Sequence, residues 1–134
     1  MENDGHFSGE IVGIGTDLTD VARIRALLEK YSGAFLKKAF GDVEASYCMS
    51  LANPAESLAA RFAAKEAVAK ALGTGFSEGV TPRGIVVVKT PSGAPQVELD
   101  APSKKIMDSL GGKKIFLSLT HTKDYAQAFA IITR

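Results

Sequence analysis

The N-terminal part of the chain changes from a strand pattern to a helical pattern of hydrophobic residues. Residues 10–16, with the sequence EIVGIGT, are rich in β-branched residues and predict a strand. Gly13 and Gly15 interrupt this strand, which indicates that another group approaches its backbone closely. The hydrophobic residues that follow recur at helical spacing, and Asp17 or Thr19 can cap the helix that they predict.

The longest helical pattern lies in the middle of the chain. Asn53, Pro54 and Glu56 supply a cap, a proline at the first helical position and an acidic residue in the first turn. Small and hydrophobic residues then continue to Leu72, and Gly73 stops the helix. At about 1.5 Å per residue this segment is roughly 28 Å long. We therefore expect it to be the central helix of the domain.

Shorter elements surround the long helix. Three short helical segments are predicted, at residues 35–40, 42–51 and 102–110. Asp42 is expected to cap the second of them. Four strands are predicted in the C-terminal half, at residues 84–89, 96–99, 115–119 and 126–132. Because few parallel crossovers are possible in this order, we expect an α+β fold in which a small antiparallel β-sheet packs on the long helix.

Length and composition indicate one globular domain. The chain has 134 residues, of which 46% are hydrophobic and 23% are charged, as in ordinary soluble domains. We expect a single domain at residues 10–134 behind a flexible leader at residues 1–9. The leader has neither the basic start nor the apolar run of a signal peptide, and no stretch has the roughly 18 apolar residues of a membrane span. These features predict a cytoplasmic protein that does not bind membranes.

Charge and cysteine content exclude several classes of function. The formal net charge is +1, whereas a nucleic-acid-binding domain usually carries a clear positive excess. Nucleic acid is therefore not expected as a partner. Cys48 is the only cysteine, so no disulfide can form within the chain and a zinc cluster is not expected. We interpret Cys48 and the aromatic residues as parts of the core.

Three familiar functional motifs are incomplete in this chain. Residues 13–15 lack the third glycine of a dinucleotide-binding fingerprint, and residues 73–75 lack the Lys-Ser/Thr pair that completes a phosphate-binding P-loop. Ser118, His121 and Asp124 have the residue types of a hydrolase triad. They lie close together in the sequence, however, and no nucleophile elbow accompanies them. None of these functions is supported by the pattern.

Two carboxylates and a lysine have positions that suit a cation and a phosphate. Asp17 lies where the first strand meets the first helix, and Glu66 lies in the long helix among alanines. Lys70 follows Glu66 by four residues and so lies on the same helical face. Carboxylates without thiolate or imidazole partners suit Mg²⁺, which completes its shell with water and phosphate oxygens. The same residues are also typical of an N-cap and a surface ion pair, and that interpretation stays open at this point.

Basic residues at two further places allow two interpretations each. Arg23, Arg25 and Lys30 lie on the first predicted helix, either as a solvated surface or as a dock for an acidic partner. His121 lies at the end of a predicted strand, where it either contacts a phosphate or is an ordinary turn histidine.

Four segments of the chain together resemble one enzyme family. They are residues 11–24 (IVGIGTDLTDVARI), 61–75 (RFAAKEAVAKALGTG), 92–95 (SGAP) and 118–122 (SLTHT). The first two resemble the G-I-G-x-D…R-I and F-x-x-K-E-A-x-x-K-A-x-G patterns of the holo-[acyl-carrier-protein] synthases, the small bacterial type of 4′-phosphopantetheinyl transferase. The other two resemble that family's G-x-P hairpin and S-x-S/T-H-S/T strand end. The four segments follow the family's order and cover most of the chain.

The resemblance implies a reaction. The 4′-phosphopantetheine arm of coenzyme A would move to a serine hydroxyl of an apo acyl carrier protein, with release of 3′,5′-ADP, and so activate the carrier for fatty acid biosynthesis. Asp17 and Glu66 would hold Mg²⁺ against the pyrophosphate, and Lys70 would neutralise charge on the phosphates. Glu66, or a water on the magnesium that Glu66 orients, would accept the serine proton.

The resemblance also implies binding residues and an assembly. The residues expected near the nucleotide are Arg61, Lys65 and His121 at its phosphates, and Gly93 and Pro95 beside its adenine. Arg23, with its neighbours Arg25 and Lys30, would face an acidic helix of the carrier protein. The family forms trimers whose sites lie between subunits. We therefore expect a homotrimer in which each site combines residues of two subunits.

Two other functions fit part of the pattern. A regulator that binds coenzyme A or a nucleotide without turnover would keep the pocket, but it has no need of both Asp17 and Glu66. An adaptor that binds the carrier protein would explain the arginines of the first helix, but it leaves residues 61–75 without a purpose. Transfer of phosphopantetheine to an apo carrier protein, read by intact mass, separates an enzyme from a binder.

Overall fold

The computed structural model describes residues 9–134. Almost all of the predicted leader at residues 1–9 lies outside this range, so the division into a leader and one domain stays a prediction. Within the described range the chain forms five strands and four helices. In chain order they are β1 (Ile11–Asp20), α1 (Val21–Ala39), α2 (Asp42–Met49), α3 (Pro54–Ala71), β2 (Ile85–Lys89), β3 (Pro95–Leu99), α4 (Ala101–Ser109), β4 (Lys114–His121) and β5 (Tyr125–Thr133).

Both sheets are antiparallel. The larger sheet has the strand order β1-β5-β4, and β2 pairs with β3 in a separate two-stranded sheet. The larger sheet and α3 pack against one another, and α1 and α2 lie against other parts of α3. The predicted fold, an α+β domain with a small antiparallel sheet on a long central helix, is confirmed. No helix within residues 9–134 is long and apolar enough to cross a membrane.

Helix α3 is buried on nearly every side because it is built largely from alanine. Pro54 occupies its first turn as predicted, although the Asn53 side chain makes no capping hydrogen bond. Alanines also form the surface of β5 that faces the helix, and they are fully buried at Ala126, Ala128 and Ala130. Small side chains on both surfaces let the helix and the sheet approach closely. A helix that is buried all round cannot show the one-sided hydrophobic pattern of a surface helix.

The glycines of β1 allow this strand to lie directly on the backbone of α3. A Cβ atom added at Gly13 would lie 2.0 Å from the carbonyl oxygen of Ala71, and one added at Gly15 would lie 1.9 Å from that of Ala67. The prediction that another group approaches this strand closely is confirmed, and the group is the central helix. The contact also sets which end of β1 lies beside Glu66.

The first strand is longer than the sequence predicts, and the first helix has a different cap. Strand β1 continues to Asp20 because residues 16–20 keep pairing with β5, as far as Asp20 opposite Tyr125. The cap of α1 is therefore Asp20, whose side chain accepts a hydrogen bond from the backbone N–H of Ala22 at 2.9 Å. The prediction of Asp17 or Thr19 as the cap is wrong, since sheet pairing outweighs the local capping signal.

Two of the short helices also differ in detail from the prediction. Residues 35–40 are not a separate turn: residues 35–39 form the last part of α1, which is kinked at Ser32 (φ 42°, ψ −116°). Ser32 precedes a glycine, a pair that often marks such kinks. Asp42 is the first residue of α2 rather than its cap. The cap is Gly41, whose backbone N–H donates to Glu44 Oε1 at 3.1 Å.

The contact between β1 and α3 leads to a test by substitution. We expect Gly15→Ala to lower the free energy of unfolding by about 1–3 kcal/mol, because the added methyl group displaces the strand from the helix. Gly33→Ala is the matched control, since a Cβ atom there meets nothing within 4 Å. It should leave the stability unchanged or raise it slightly. Urea unfolding measures both variants, and equal stability of the two would contradict the packing argument.

Candidate active site

Asp17, Glu66 and Lys70 come together where the end of β1 crosses α3; this group is the carboxylate site. Lys70 Nζ donates to the backbone oxygen of Thr16 at 2.9 Å and lies 3.4 Å from Asp17 Oδ1. Asp17 Oδ2 accepts a hydrogen bond from Thr19 Oγ1 at 2.6 Å. The Asp17 carboxylate is thus held by Thr19 of its own strand and by Lys70 of α3. The structure places the three residues together as the sequence motifs imply.

The carboxylate of Glu66 is destabilised by its surroundings. Burial raises the pKa of Glu66, and the neighbouring Asp17 carboxylate raises it further. The positive charges of Lys70 and Arg23 act in the opposite direction but do not reverse the shift. Two partly buried carboxylates thus lie beside one another, and Lys70 and Arg23 are the nearby positive charges. This is the electrostatic setting in which a divalent cation binds.

The donor set fits a magnesium ion better than a transition metal. Within residues 9–134 no group of three or more His, Cys, Asp or Glu side chains is placed to hold a metal. Mg²⁺ commonly takes only one or two protein carboxylates and fills its other positions with water and substrate phosphates. Asp17 and Glu66 supply that number of hard oxygen ligands, and their mutual repulsion would be relieved by the ion.

A second feature is a cleft of about 620 Å³ between α3, the β2–β3 hairpin and β4. Its walls include four of the residues predicted near a nucleotide: Arg61, Gly93, Pro95 and His121. His121 Nδ1 lies 3.4 Å from Glu56 Oε1, and Glu56 lies in the first turn of α3. The cleft therefore combines basic groups with a glycine- and proline-containing turn.

Arg61 and Lys65 lie on α3 but have different surroundings. Arg61 Nη1 donates to the backbone oxygen of Val87 at 2.6 Å, and its guanidinium lies 5.0 Å from the centre of the Tyr47 ring at the cleft wall. Lys65 is fully buried, and its Nζ donates to Glu44 Oε1 at 2.7 Å and to two backbone oxygens, of Pro82 at 2.9 Å and Ile85 at 2.7 Å. Burial lowers the pKa of Lys65. These contacts give Lys65 a structural role. Its contact with a nucleotide stays a prediction.

The carboxylate site and the cleft lie on different sides of α3. Arg61 and Glu66 are five positions apart, which corresponds to about 140° around a helix axis. Asp17, Glu66 and Lys70 are not among the residues that line the cleft. One chain therefore brings together each half of the predicted site but does not join the halves.

The basic residues of α1 do not all share one surface. Arg23 lies 5.9 Å from the centre of the Phe62 ring, and its charge acts on Glu66, so it borders the carboxylate site. Helical geometry returns Lys30 to nearly the same face, whereas Arg25 is rotated by about 200° from Arg23. All three side chains are exposed. The geometry thus favours Arg23 over Arg25 for contact with a molecule bound at the carboxylate site.

Sequence reasoning missed Tyr47 and Glu44 and was right about Cys48. Cys48 is buried, accepts a hydrogen bond from Ser57 Oγ at 3.3 Å and has a pKa raised by burial, as a core residue should. Tyr47 is 38% exposed and lines the cleft, and five other aromatic residues in the described part of the chain are also exposed, so the interpretation of the aromatic residues as core is wrong for these six. In the sequence, Glu44 and Tyr47 are distinguished only by their spacing of three residues, which places them on one face of the predicted helix.

Comparison with known proteins agrees with the arrangement of these residues. Residues 13–130 match the 4′-phosphopantetheinyl transferase superfamily, which sets the class of enzyme. The holo-[acyl-carrier-protein] synthase of Chlamydia caviae is 45% identical over 118 residues, which are 88% of this chain and 93% of the relative. That of Koribacter versatilis is 39% identical over 122 residues, which are 91% and 98% of the two chains. This chain belongs to the holo-[acyl-carrier-protein] synthase family of transferases, as its sequence motifs predict.

Solved structures show the same fold. The crystal structure of the holo-[acyl-carrier-protein] synthase from Neisseria meningitidis superposes with a TM-score of 0.85 at 33% identity, covering 92% of this chain and 99% of that one. The Helicobacter pylori enzyme, solved in complex with coenzyme A, gives a TM-score of 0.78 at 29% identity, with coverage of 90% and 99%.

Proposed function

We propose that this transferase moves the 4′-phosphopantetheine arm of coenzyme A to a serine hydroxyl of an apo acyl carrier protein in a magnesium-dependent reaction that serves fatty acid biosynthesis. The observation that carries the proposal is the carboxylate site, where Asp17, Glu66 and Lys70 meet. The relatives from Helicobacter pylori and Bacillus anthracis, both solved in complex with coenzyme A, support the donor substrate.

The carboxylate site suits transfer from a pyrophosphate. Asp17 and Glu66 would hold Mg²⁺, and the bound ion would neutralise charge on the phosphates. Lys70, already directed to Asp17 and the Thr16 carbonyl, contributes a positive charge at the same place. Transfer of this kind depends mainly on positioning and on charge neutralisation, with little covalent assistance from the protein.

The serine hydroxyl also has to lose a proton. Glu66, or a water on the magnesium that Glu66 orients, is the group proposed to accept this proton, because it lies at the carboxylate site where the hydroxyl would meet the pyrophosphate. Both routes need Glu66 in its charged form, so they agree on the residue and differ only in whether a water lies between.

The cleft suits the nucleotide half of coenzyme A. Arg61 would offer positive charge and His121 a ring nitrogen to its phosphates, and Gly93 and Pro95 would border the adenine; all four residues line the cleft. Lys65 supports the wall of the cleft from inside the core. Since the cleft and the carboxylate site lie on different sides of α3, one coenzyme A reaches both only where two chains meet.

The exposed surface of the larger sheet supports such an assembly. The side of the sheet that faces away from α3 carries large apolar residues, among them Ile14 and Leu18, each 63% exposed, and Phe129, 47% exposed. Contiguous apolar surface of this kind commonly marks a protein interface. We propose that three copies pack through this surface and that each site combines the carboxylate site of one chain with the cleft of its neighbour.

The α1 surface around Arg23 is proposed to receive the carrier protein. Arg23 lies beside the carboxylate site, and Lys30 lies further along the same face. An acidic helix placed here would bring its serine towards Glu66. Arg25 belongs to the same basic segment but faces another direction, so its contact with the carrier is a weaker part of the proposal.

The reaction itself is tested by intact mass. The protein is incubated with an apo acyl carrier protein, coenzyme A and MgCl₂, and the carrier is expected to gain one phosphopantetheine group. Binding of coenzyme A without this gain would instead identify a regulator. An excess of EDTA is expected to stop the transfer, and added Mg²⁺ to restore it.

The metal ligands are tested by substitution. We expect Asp17→Ala and Glu66→Ala each to slow transfer about 100-fold or more, as for the loss of a group that stabilises transition-state charge. Calorimetric titration should show weaker Mg²⁺ binding while both variants still unfold cooperatively. Asp108→Ala, which removes an exposed carboxylate paired with Lys104, is the control. Normal turnover of either variant would remove that residue from the metal site.

The carrier dock is tested by charge reversal. We expect Arg23→Glu to raise KM for the carrier protein about 10-fold, because each exposed charge pair contributes up to about 1 kcal/mol and reversal turns attraction into repulsion. KM for coenzyme A should change little, and added salt should weaken the wild-type reaction through the same interaction. Lys105→Glu on α4 controls for the change in net charge. Equal losses towards both substrates would place Arg23 in the coenzyme A site or the fold instead.

The shared site is tested by mixing two inactive variants. Asp17→Ala damages the carboxylate site and His121→Ala damages the cleft, so a mixed assembly contains some interfaces at which both halves are intact. Activity of the refolded mixture is expected to exceed the sum of the separate variants. If mass spectrometry proves mixing and no activity returns, the site lies within one chain.

A further inference from the structure

A buried carboxylate joins α2, α3 and the free edge of β2. Glu44 is only 2% exposed. Its Oε1 accepts hydrogen bonds from Lys65 Nζ at 2.7 Å and from the Gly41 N–H at 3.1 Å, and its Oε2 accepts one from the Val87 N–H at 2.9 Å. Neither the family resemblance nor the reaction gives this residue a role.

Glu44 and Arg61 together satisfy both backbone groups of one residue at the edge of β2. Val87 lies opposite Val97 in the hairpin, and its N–H and C=O both point to side chains of α2 and α3. The N–H donates to Glu44, and the C=O accepts from Arg61 Nη1 at 2.6 Å. The carboxylate and the guanidinium thus replace a neighbouring strand at this edge.

This arrangement fixes the direction of Arg61. Its Nη1 lies 3.8 Å from Glu44 Oε2, and its guanidinium packs over the ring of Tyr47 at 5.0 Å. Val87, Tyr47 and Arg61 all line the cleft, whereas Glu44 lines only an adjoining cavity of about 450 Å³ that shares these three residues with it. Glu44 therefore reaches the wall of the cleft through its contacts with Arg61 and Val87.

We propose that Glu44 is a positioning residue for nucleotide binding: it sets the position of Arg61 and of the β2 edge at the cleft wall without touching the substrate. The proposal rests on the proposed function, because it takes the cleft as the site of the nucleotide half of coenzyme A. Lys65 also bonds the carbonyls of Pro82 and Ile85. These two bonds to the hairpin do not involve Glu44 and remain when it changes, although Lys65 then loses its buried counter-charge.

The test compares Glu44→Gln with Asp42→Asn. Glutamine keeps the length and one acceptor oxygen, but it turns an NH2 group towards either Lys65 or the Val87 N–H, and it removes the charge that faces Arg61 and Lys65. We expect KM for coenzyme A and the Kd for 3′,5′-ADP to rise about 10-fold or more, as for other residues that orient a ligand-binding group. The kcat and KM for the carrier protein should stay close to wild type. Asp42→Asn removes a carboxylate from the same helix, one that pairs with the exposed side of Arg83 away from the cleft, and should change none of these values.

A double-mutant cycle separates positioning from a general structural role. If Glu44 acts through Arg61, the double variant Glu44→Gln, Arg61→Ala should bind 3′,5′-ADP no more weakly than Arg61→Ala alone. Additive losses, equal losses towards both substrates, or unchanged Kd in Glu44→Gln would each overturn the proposal.

Binding of 3′,5′-ADP distinguishes failure of the proposed function from failure of the positioning role. Failure of the wild-type protein to bind 3′,5′-ADP would overturn the proposed function, whereas normal binding by both the wild type and Glu44→Gln would overturn the positioning role alone. If Glu44→Gln does not fold, Glu44→Asp carries the same comparison, with a rise in Kd expected because the shorter side chain keeps the charge but loses reach. If neither variant folds, Glu44 is needed for folding and the positioning role is overturned.

Discussion

The close contact between β1 and α3 is the constraint on which the site depends. Gly13 and Gly15 leave no room for a side chain between the strand and the carbonyl oxygens of Ala71 and Ala67. Because β1 lies this close, the side chain of Asp17 reaches the helical face that carries Glu66. The contact between two carboxylates that are far apart in sequence therefore depends on the absence of a side chain at Gly13 and Gly15. The alanines of α3 and β5 extend the same principle to the rest of the sheet.

The charges of α3 show how one helix serves both structure and chemistry. Lys65 and Glu66 are adjacent in sequence, yet one is buried against Glu44 and the other faces Asp17. The buried pair satisfies the edge of β2, since Lys65 also donates to the carbonyl of Ile85. Glu66 is partly buried beside Asp17, and both the burial and this neighbouring carboxylate raise its pKa. Burial with a partner stabilises the first arrangement, and burial beside a like charge prepares the second for a cation.

The sequence predicts the fold class, the central helix and the two strand pairs, because caps, glycines and hydrophobic spacing are local signals. The motifs also predict correctly that Asp17, Glu66 and Lys70 meet. The cap of α1 at Asp20 is not predictable in this way, since it depends on pairing of β1 with β5. The buried contacts of Lys65 are likewise hidden, because they come from residues of α2 and β2 that are distant in sequence. Contacts of this kind exist only after the chain has folded.

The two faces of α3 connect catalysis with assembly. A rigid helix holds Arg61 and Glu66 at about 140° from one another around its axis, and no side-chain rotation removes that separation. In the proposed function, a coenzyme A bound in the cleft of one chain would therefore meet the metal ligands of another chain. The apolar outer surface of the larger sheet, with Ile14 and Phe129, provides a reason for another copy to lie nearby. In the proposed assembly, packing through this surface would place the carboxylate site of one chain beside the cleft of its neighbour, so that the same contact would bury the apolar sheet and complete the site.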